Sequence, residues 1–390
     1  MGALNNIKVL DYTHALAGPW CSMILADLGA DVIKVETPDG EGRKSSGNFH
    51  SFDFKNRNKR SIGVDLKSDA GREVIRRLAE RADVFIENRR PGVLKAMGLG
   101  YEDLAARNPR LIYCSISGFG QDGPYSARGC YDLISQAMSG LMSVNGEAGA
   151  EPVAMGVPIS DLSAGTYGAI AILAALNHRH ISGQGQHVEA TLLETALACA
   201  VPDVALYLAT GEIARPRGSA HRNATPYEVL RTQDGLIVIG AATQRLFERA
   251  CKVLDAEHLV QNPAFATLRN RLANREAFRS QLEAILARDT SDNWLAKLAA
   301  NGIPAGPINT IDKALADPQV KARGIIAEAD GRPYLRTPVT LHRTPVSLRS
   351  GVPQLGASNL DVLSECGFST GEIETLSRSG AIFEQREETA

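Results

Sequence analysis

The stretch "IKVLDYTHALAGPWCSMILADLGADVIKVE", Ile7 to Glu36, decides the fold. It opens on a short apolar run, "IKVLDYT", passes through a helical segment, "CSMILADLG", and ends on a second apolar run, "DVIKVE". Short buried strands separated by a helix predict a parallel, Rossmann-like sheet. The alternation continues beyond a polar stretch with a helix through "AGREVIRRLAERA", the strand "DVFIEN", a short helix and the strand "LIYCSIS". Further on, "HVEATLLETALACAV" predicts a strand that runs into a helix.

At 390 residues the chain is longer than a single core of roughly 250–300 residues allows, so two domains or one intertwined unit are expected. Residues 1–210 read as a large Rossmann-like domain and 211–226, "GEIARPRGSAHRNATP", as a linker. Residues 227–324 read as a smaller α+β domain. There "YEVLRTQDGLIVIGAA" predicts two strands about the turn at Asp234–Gly235, and helical patterns follow. "GRPYLRTPVTLHRTPVSLRSGVP" is Pro-rich and reads as extended surface, and the tail from Asn359 to Ser379 as helical.

The charge is nearly balanced, with 42 Lys and Arg against 44 Asp and Glu, and no basic block marks a nucleic-acid footprint. A small-molecule substrate is expected instead. Six scattered cysteines without a CxxC pair predict reduced thiols in a cytoplasmic protein. The opening "MGALNN" enters a strand pattern at once and has no signal-peptide regions. The apolar run Ala164–Leu176 falls short of the ~20 residues a bilayer span needs, so it reads as a buried helix with no membrane partner.

No GxGxxG follows the first strand, and GxxxxGK[ST] and HExxH are both missing. His178, His180 and His187 in "HRHISGQGQH" are explained by a helix end, a Gly turn and a strand start, so no metal site is expected. The carboxylate Asp161 in "GVPISDLSAGTYGAIAILAAL" begins the buried helix. It reads either as a cap on free backbone N–H groups or as a nucleophile aimed into a cleft. Position alone leaves both open.

Six segments, in this order, resemble the family III CoA-transferases, the carnitine dehydratase and formyl-CoA transferase family. They are "VLDYTHALAGPWCSMILADLGADVIKVE", "NRNKRSIGVDLKS", "ADVFIENRRPGVLKAMGLGYEDL", "LIYCSISGFGQDGPYS", "CYDLISQAMSGLMSVNG" and "GVPISDLSAGTYGAIAILAAL". The resemblance places Asp161 at the family's catalytic aspartate, with capping as an additional role. It implies CoA contacts from His14, Ala17, Val64, Leu66, Asn88 and Arg89, with Tyr131 and Asp132 bordering the aspartate. Arg43, Lys59, Arg60, Lys95 and Arg128 are candidates for the CoA phosphates, which need cations. The family pattern departs at Thr37 and Ala96, where relatives carry arginine. The resemblance further implies an interlocked homodimer, with the large domain completed by residues 325–390.

The chemistry implied is attack of an ionised Asp161, with an ordinary carboxylate pKa near 3.9, on the thioester of an acyl-CoA. An anhydride and then an aspartyl-CoA thioester follow, in a pocket that excludes water. CoA is then a substrate, and no permanently bound cofactor is expected. Small residues at Ala164, Gly165 and Gly168 are expected to let the thioester arm approach the backbone. Two alternatives stand beside this reading. An α-methylacyl-CoA racemase needs a second proton carrier, but Tyr131 stands where racemases have histidine. A non-catalytic CoA-binding protein would not need Asp161 in particular, since Ser, Thr or Asn also cap. "DGLIVIGAATQRLFERACKVL" lacks the glycine-rich loop of the formyl-CoA and oxalate branch, and the texture is that of members using succinyl-CoA and a dicarboxylic acid. Arg217, His221 and Arg222 are candidates to hold the acid's distal carboxylate.

Overall fold

Strand β1 (Lys8–Tyr12) pairs in parallel with β2 (Asp31–Glu36), with Val9 opposite Val32. Together with β3 (Lys59–Gly63), β4 (Val84–Glu87), β5 (Ile112–Ser117) and β6 (His187–Thr191) they form a parallel sheet of order β3-β2-β1-β4-β5-β6. This computed structural model describes residues 2–38 and 54–384. The chain forms two units, residues 1–142, 154–213 and 323–390 in the first, and residues 143–153 and 214–322 in the second.

In the first unit both sheet faces are buried, as apolar runs of this kind require. On one face Leu10, Ile33, Ile62, Phe85 and Tyr113 pack with Val74, Ile75 and Leu78 of the helix Asp69–Ala79, and with Val362 and Leu363 near the C-terminal end. On the other, Val9, Val32, Val84, Ile112 and Cys114 pack against Cys21 and Leu25 of α1 (Ala17–Asp27) and Ala164, Ala169 and Ile172 of α2 (Ile159–Ser182). Helix α2 extends well beyond the apolar run read from the sequence. By length and hydropathy it is the one helix among the described residues that passes for a membrane span. Half of its apolar stretch is instead buried inside this unit, while Tyr167 and Ile170 remain exposed. Gly165 faces the Ala17 carbonyl and Trp20, and Gly168 faces Ile116 and Cys21. These small residues therefore serve helix packing, which corrects the expectation that they clear room for a thioester arm.

Strand β3 escaped the sequence reading because Lys59 and Arg60 disguise it. Lys59 is buried, its Nζ 2.9 Å from Asp11 Oδ2, and Asp11 also lies 3.8 Å from Lys34 Nζ. The Pro-rich segment is less superficial than expected. Thr337 is buried, and its N–H and hydroxyl donate to Asp27 Oδ2 at 3.0 and 2.7 Å, while Arg349 Nη2 donates to the Ala26 and Ala30 carbonyls.

In the second unit, β7 (Tyr227–Arg231) and β8 (Leu236–Gly240) form an antiparallel hairpin about Asp234–Gly235, and β9 (Ala305–Pro307) adds to β8. Helices cover it, with Phe247, Phe265, Phe278 and Trp294 in the core. Residues 143–153, which the sequence reading leaves with the large domain, belong here. The Gly218 N–H donates to the Gly146 carbonyl at 2.8 Å.

Candidate active site

The order of the first sheet reverses between β1 and β4, and ligands of open α/β sheets bind outside the carboxyl ends of strands at such a point. The loops after these two strands are stitched together there. The His14 N–H donates to Asn88 Oδ1 and Asn88 Nδ2 donates to the His14 carbonyl, each at 2.9 Å. A cleft of about 410 Å³ opens above them, and its walls include His14, Ala17, Asn88, Arg89, Arg128, Tyr131 and Asp161. Four stretches separated widely in sequence thus meet in one cleft. Arg89 is also held over the Tyr12 ring at 4.6 Å, and Arg128 over Tyr125 at 4.4 Å.

Asp161 is the third residue of α2, and the capping role expected for it falls elsewhere. The N-cap is Pro158, which has neither a side-chain acceptor nor an N–H. The first N–H, of Ile159, donates to the Val157 carbonyl at 2.8 Å. The next two, of Ser160 and Asp161, donate to Asp132 Oδ1 at 2.8 and 3.4 Å. Asp132 opens helix α3, the segment Asp132–Met138, and its other oxygen accepts from Gln136 Nε2 at 2.7 Å. Gln136 Oε1 in turn accepts from the Met155 N–H at 2.9 Å.

Burial pushes the Asp161 carboxyl up, the neighbouring Asp132 charge adds to this, and Lys55 opposes it, leaving a pKa of about 6. The unperturbed value assumed from sequence is therefore too low. At pH 7 the group is still mostly ionised, and a carboxylate of higher pKa is the stronger nucleophile. Lys55 was missed by the sequence reading. It is only 5% exposed, and burial and Lys34 lower its pKa to about 8 against the pull of Asp161. Arg90, Ser126 and Cys130, also unassigned, line the same cleft. Arg90 stands in the "NRRPG" motif already singled out; Lys55 sits in "FKNRNKR", where nothing in the pattern separates it from a solvated charge.

Among the described residues, the remaining candidates are not in the walls of this cleft. Val64 and Leu66 have their side chains in the apolar core of the first unit. Lys59 is bound to Asp11, and Arg60 is paired with Asp31 at 2.6 Å and Glu365 at 2.8 Å. Lys95 lines an adjoining cavity of about 490 Å³, with Glu87, Tyr101 and His187, which shares Arg90, Pro91 and Ser126 with the cleft. Arg43 lies outside the described residues. Arg217, His221 and Arg222 belong to the second unit, where the His221 ring stacks on Tyr227 at 4.8 Å. His187 is bonded to Ser115 Oγ at 2.9 Å, and among the described residues no group of three potential ligands is placed to hold a metal ion.

A parallel sheet with its cleft at the switch point and a carboxylate on a helix N-terminus makes a candidate active site, and comparison with known proteins gives the family. Residues 4–359 match CoA-transferase family III, and the chain belongs to it. It is 38% identical to the succinate–glutarate CoA-transferase of Agrobacterium fabrum, over 96% of this chain and 97% of that one. It is 33% identical to the succinyl-CoA:mesaconate CoA-transferase of Haloarcula hispanica, over 95% and 98%. A crystal structure of a CAIB/BAIF family protein from Brucella suis superposes with a TM-score of 0.86 at 40% identity, covering 94% of this chain and 99% of that one. The protein is a CoA-transferase, with CoA and acyl-CoA as substrates.

Proposed function

We propose that this enzyme moves CoA from succinyl-CoA to a second dicarboxylic acid through covalent intermediates on Asp161. The observation that carries the reading is a mostly ionised carboxylate, uncommitted to capping, in the wall of a cleft at the sheet's switch point. The choice of acids rests on the relatives, whose names pair succinate or succinyl-CoA with glutarate or mesaconate.

Asp161 attacks the thioester carbonyl, the C–S bond breaks, and CoA leaves as thiolate with an acyl-aspartyl anhydride left behind. The thiolate attacks the aspartyl carbonyl of that anhydride and expels succinate, giving aspartyl-CoA. The acceptor carboxylate attacks this thioester, releasing the thiolate and forming a new mixed anhydride. Attack of the thiolate on the acceptor acyl carbonyl gives the new acyl-CoA and restores Asp161. Each step exchanges one leaving group for one nucleophile, with no net proton change. Arg89, Arg90 and Arg128 supply cations for the CoA phosphates along the cleft.

Arg217, His221 and Arg222 are assigned to the distal carboxylate of the acid. Arg217 Nε supports this, being buried without a hydrogen-bond partner among the described residues. The enzyme is further proposed to be a cytoplasmic homodimer, interlocked as in the family resemblance. Helix Val201–Thr210 buries none of its residues in the single chain, with Leu208 78% exposed, and a second copy is the occupant that would cover it.

The test is incubation with succinyl-CoA and a panel of mono- and dicarboxylic acids, with new acyl-CoA and free succinate followed by mass spectrometry. Stoichiometric succinate and dicarboxyl-CoA are expected. Exchange confined to monocarboxylic acids would overturn the substrate assignment.

A further inference from the structure

Helix α2 poses a problem of hydrogen bonding that its own sequence does not solve. An acidic residue at the third position of a helix ordinarily turns back to the N–H of the N-cap residue. Here that residue is Pro158, and the donor does not exist. The free N–H groups of Ser160 and Asp161 are met from outside, by Asp132 Oδ1. Asp132 is itself fixed: Gln136 Nε2 donates to its second oxygen, and Gln136 Oε1 holds the Met155 N–H in the loop that leads into α2. The result is a carboxylate that belongs to one helix and terminates another. Its neighbour Asp161 forms part of the cleft wall.

We propose that Asp132 is a positioning residue for the transfer reaction, capping α2 in place of Asp161 and so leaving the Asp161 carboxylate free for the substrate. The proposal rests on the reading of Asp161 as nucleophile. A second consequence follows from proximity. Two carboxylates at one helix end repel, so Asp132 also keeps the Asp161 carboxylate more basic than burial alone would. The other charged or titratable groups about Asp161 are Lys55 from the segment before β3, and His14, Arg89, Arg90, Arg128, Cys130 and Tyr131 in the cleft walls. Among these, Asp132 is the one that bonds the Asp161 backbone.

Two substitutions separate the roles. Asp132→Asn keeps an oxygen to accept from the α2 N–H groups but removes the charge. It should move the acidic limb of kcat/KM, which reports the free enzyme, down by about half a pH unit or more, with a smaller loss of kcat at pH 8 than Asp132→Ala shows. Asp132→Ala removes both and should lower kcat by about tenfold or more with little change in KM for the acyl-CoA. Thermal melting of each variant accompanies the kinetics. A lowered melting temperature with the limb and kcat unchanged would make Asp132 a structural cap only and overturn the proposal. If Asp132→Ala does not fold, the limb in Asp132→Asn decides alone. Failure of the underlying reading shows separately, as CoA transfer that survives Asp161→Ala.

Discussion

A β-carbon added to Gly165 would stand 2.4 Å from the carbonyl oxygen of Ala17, so α2 and α1 touch backbone to backbone at this point. Ala17 lines the cleft and Asp161 lies one helical turn before Gly165, so the contact fixes the distance between the two cleft walls.

Gly165→Leu should therefore act through the fold. The helices must separate, and overpacking of this kind destabilises by about 1–3 kcal/mol or more. Thermal or urea unfolding is expected to show the loss. A variant with wild-type stability and impaired turnover would return the glycine to the substrate channel.

Asp161 makes the folded state less stable at neutral pH. Its pKa rises from 3.8 to about 6 on folding, so the native state binds a proton more tightly than the unfolded chain. Stability attributable to this group is gained as pH falls from about 6 toward 4 and is lost at higher pH. Asp161→Asn should raise unfolding stability at pH 7 by on the order of 1–2 kcal/mol, with the gain fading toward pH 4. It should also lower kcat by at least about a thousandfold. Equal stability of the two proteins at pH 7 would contradict the raised pKa.

The wild-type pH profile follows from the same group. Only the carboxylate is a nucleophile, so kcat/KM should fall below a midpoint near 6. A profile flat down to pH 4.5 would show a far more acidic group.

Asp11 behaves in the opposite sense. Burial raises its pKa, but Lys34, Lys59 and the Ser22 and Thr13 hydroxyls outweigh burial and hold it at about 2. Its contribution is present above the ordinary carboxylate pKa and is lost as pH falls from about 4 through 2. Asp11→Asn leaves buried cations without their counter-charge and should cost about 3–5 kcal/mol, measured by urea unfolding at pH 7. A loss under 1 kcal/mol would show that the cluster relaxes.

If Arg128 meets a CoA phosphate, Arg128→Ala should raise KM for acyl-CoA by about five- to tenfold and leave kcat nearly unchanged. Acyl-pantetheine, which has no phosphates, should show no such change. Equal effects on both substrates would place Arg128 elsewhere.

Much of the fold is legible in the sequence because the buried strands β1, β2, β4 and β5 are apolar runs punctuated by helices. Strand β3 is not, since a lysine that neutralises a buried aspartate looks in the sequence like a surface charge. The cleft residues His14, Asn88 and Asp161 carry their motifs with them. Lys55 does not, because only the folded chain brings it beside Asp161. Lys95 follows the same motif and lines the adjoining cavity, across the walls formed by Arg90, Pro91 and Ser126. The division of labour at α2 depends on Asp132, twenty-six residues before Pro158, which the resemblance sets beside Asp161 but which no local pattern marks as the cap of that helix.

The central claim is covalent catalysis by Asp161, and the most direct test is the intact mass of the protein after incubation with succinyl-CoA, followed by peptide mapping. A CoA-sized adduct is expected on the peptide that contains Asp161, absent from Asp161→Ala. An adduct on another peptide, or one that persists in Asp161→Ala, would contradict it.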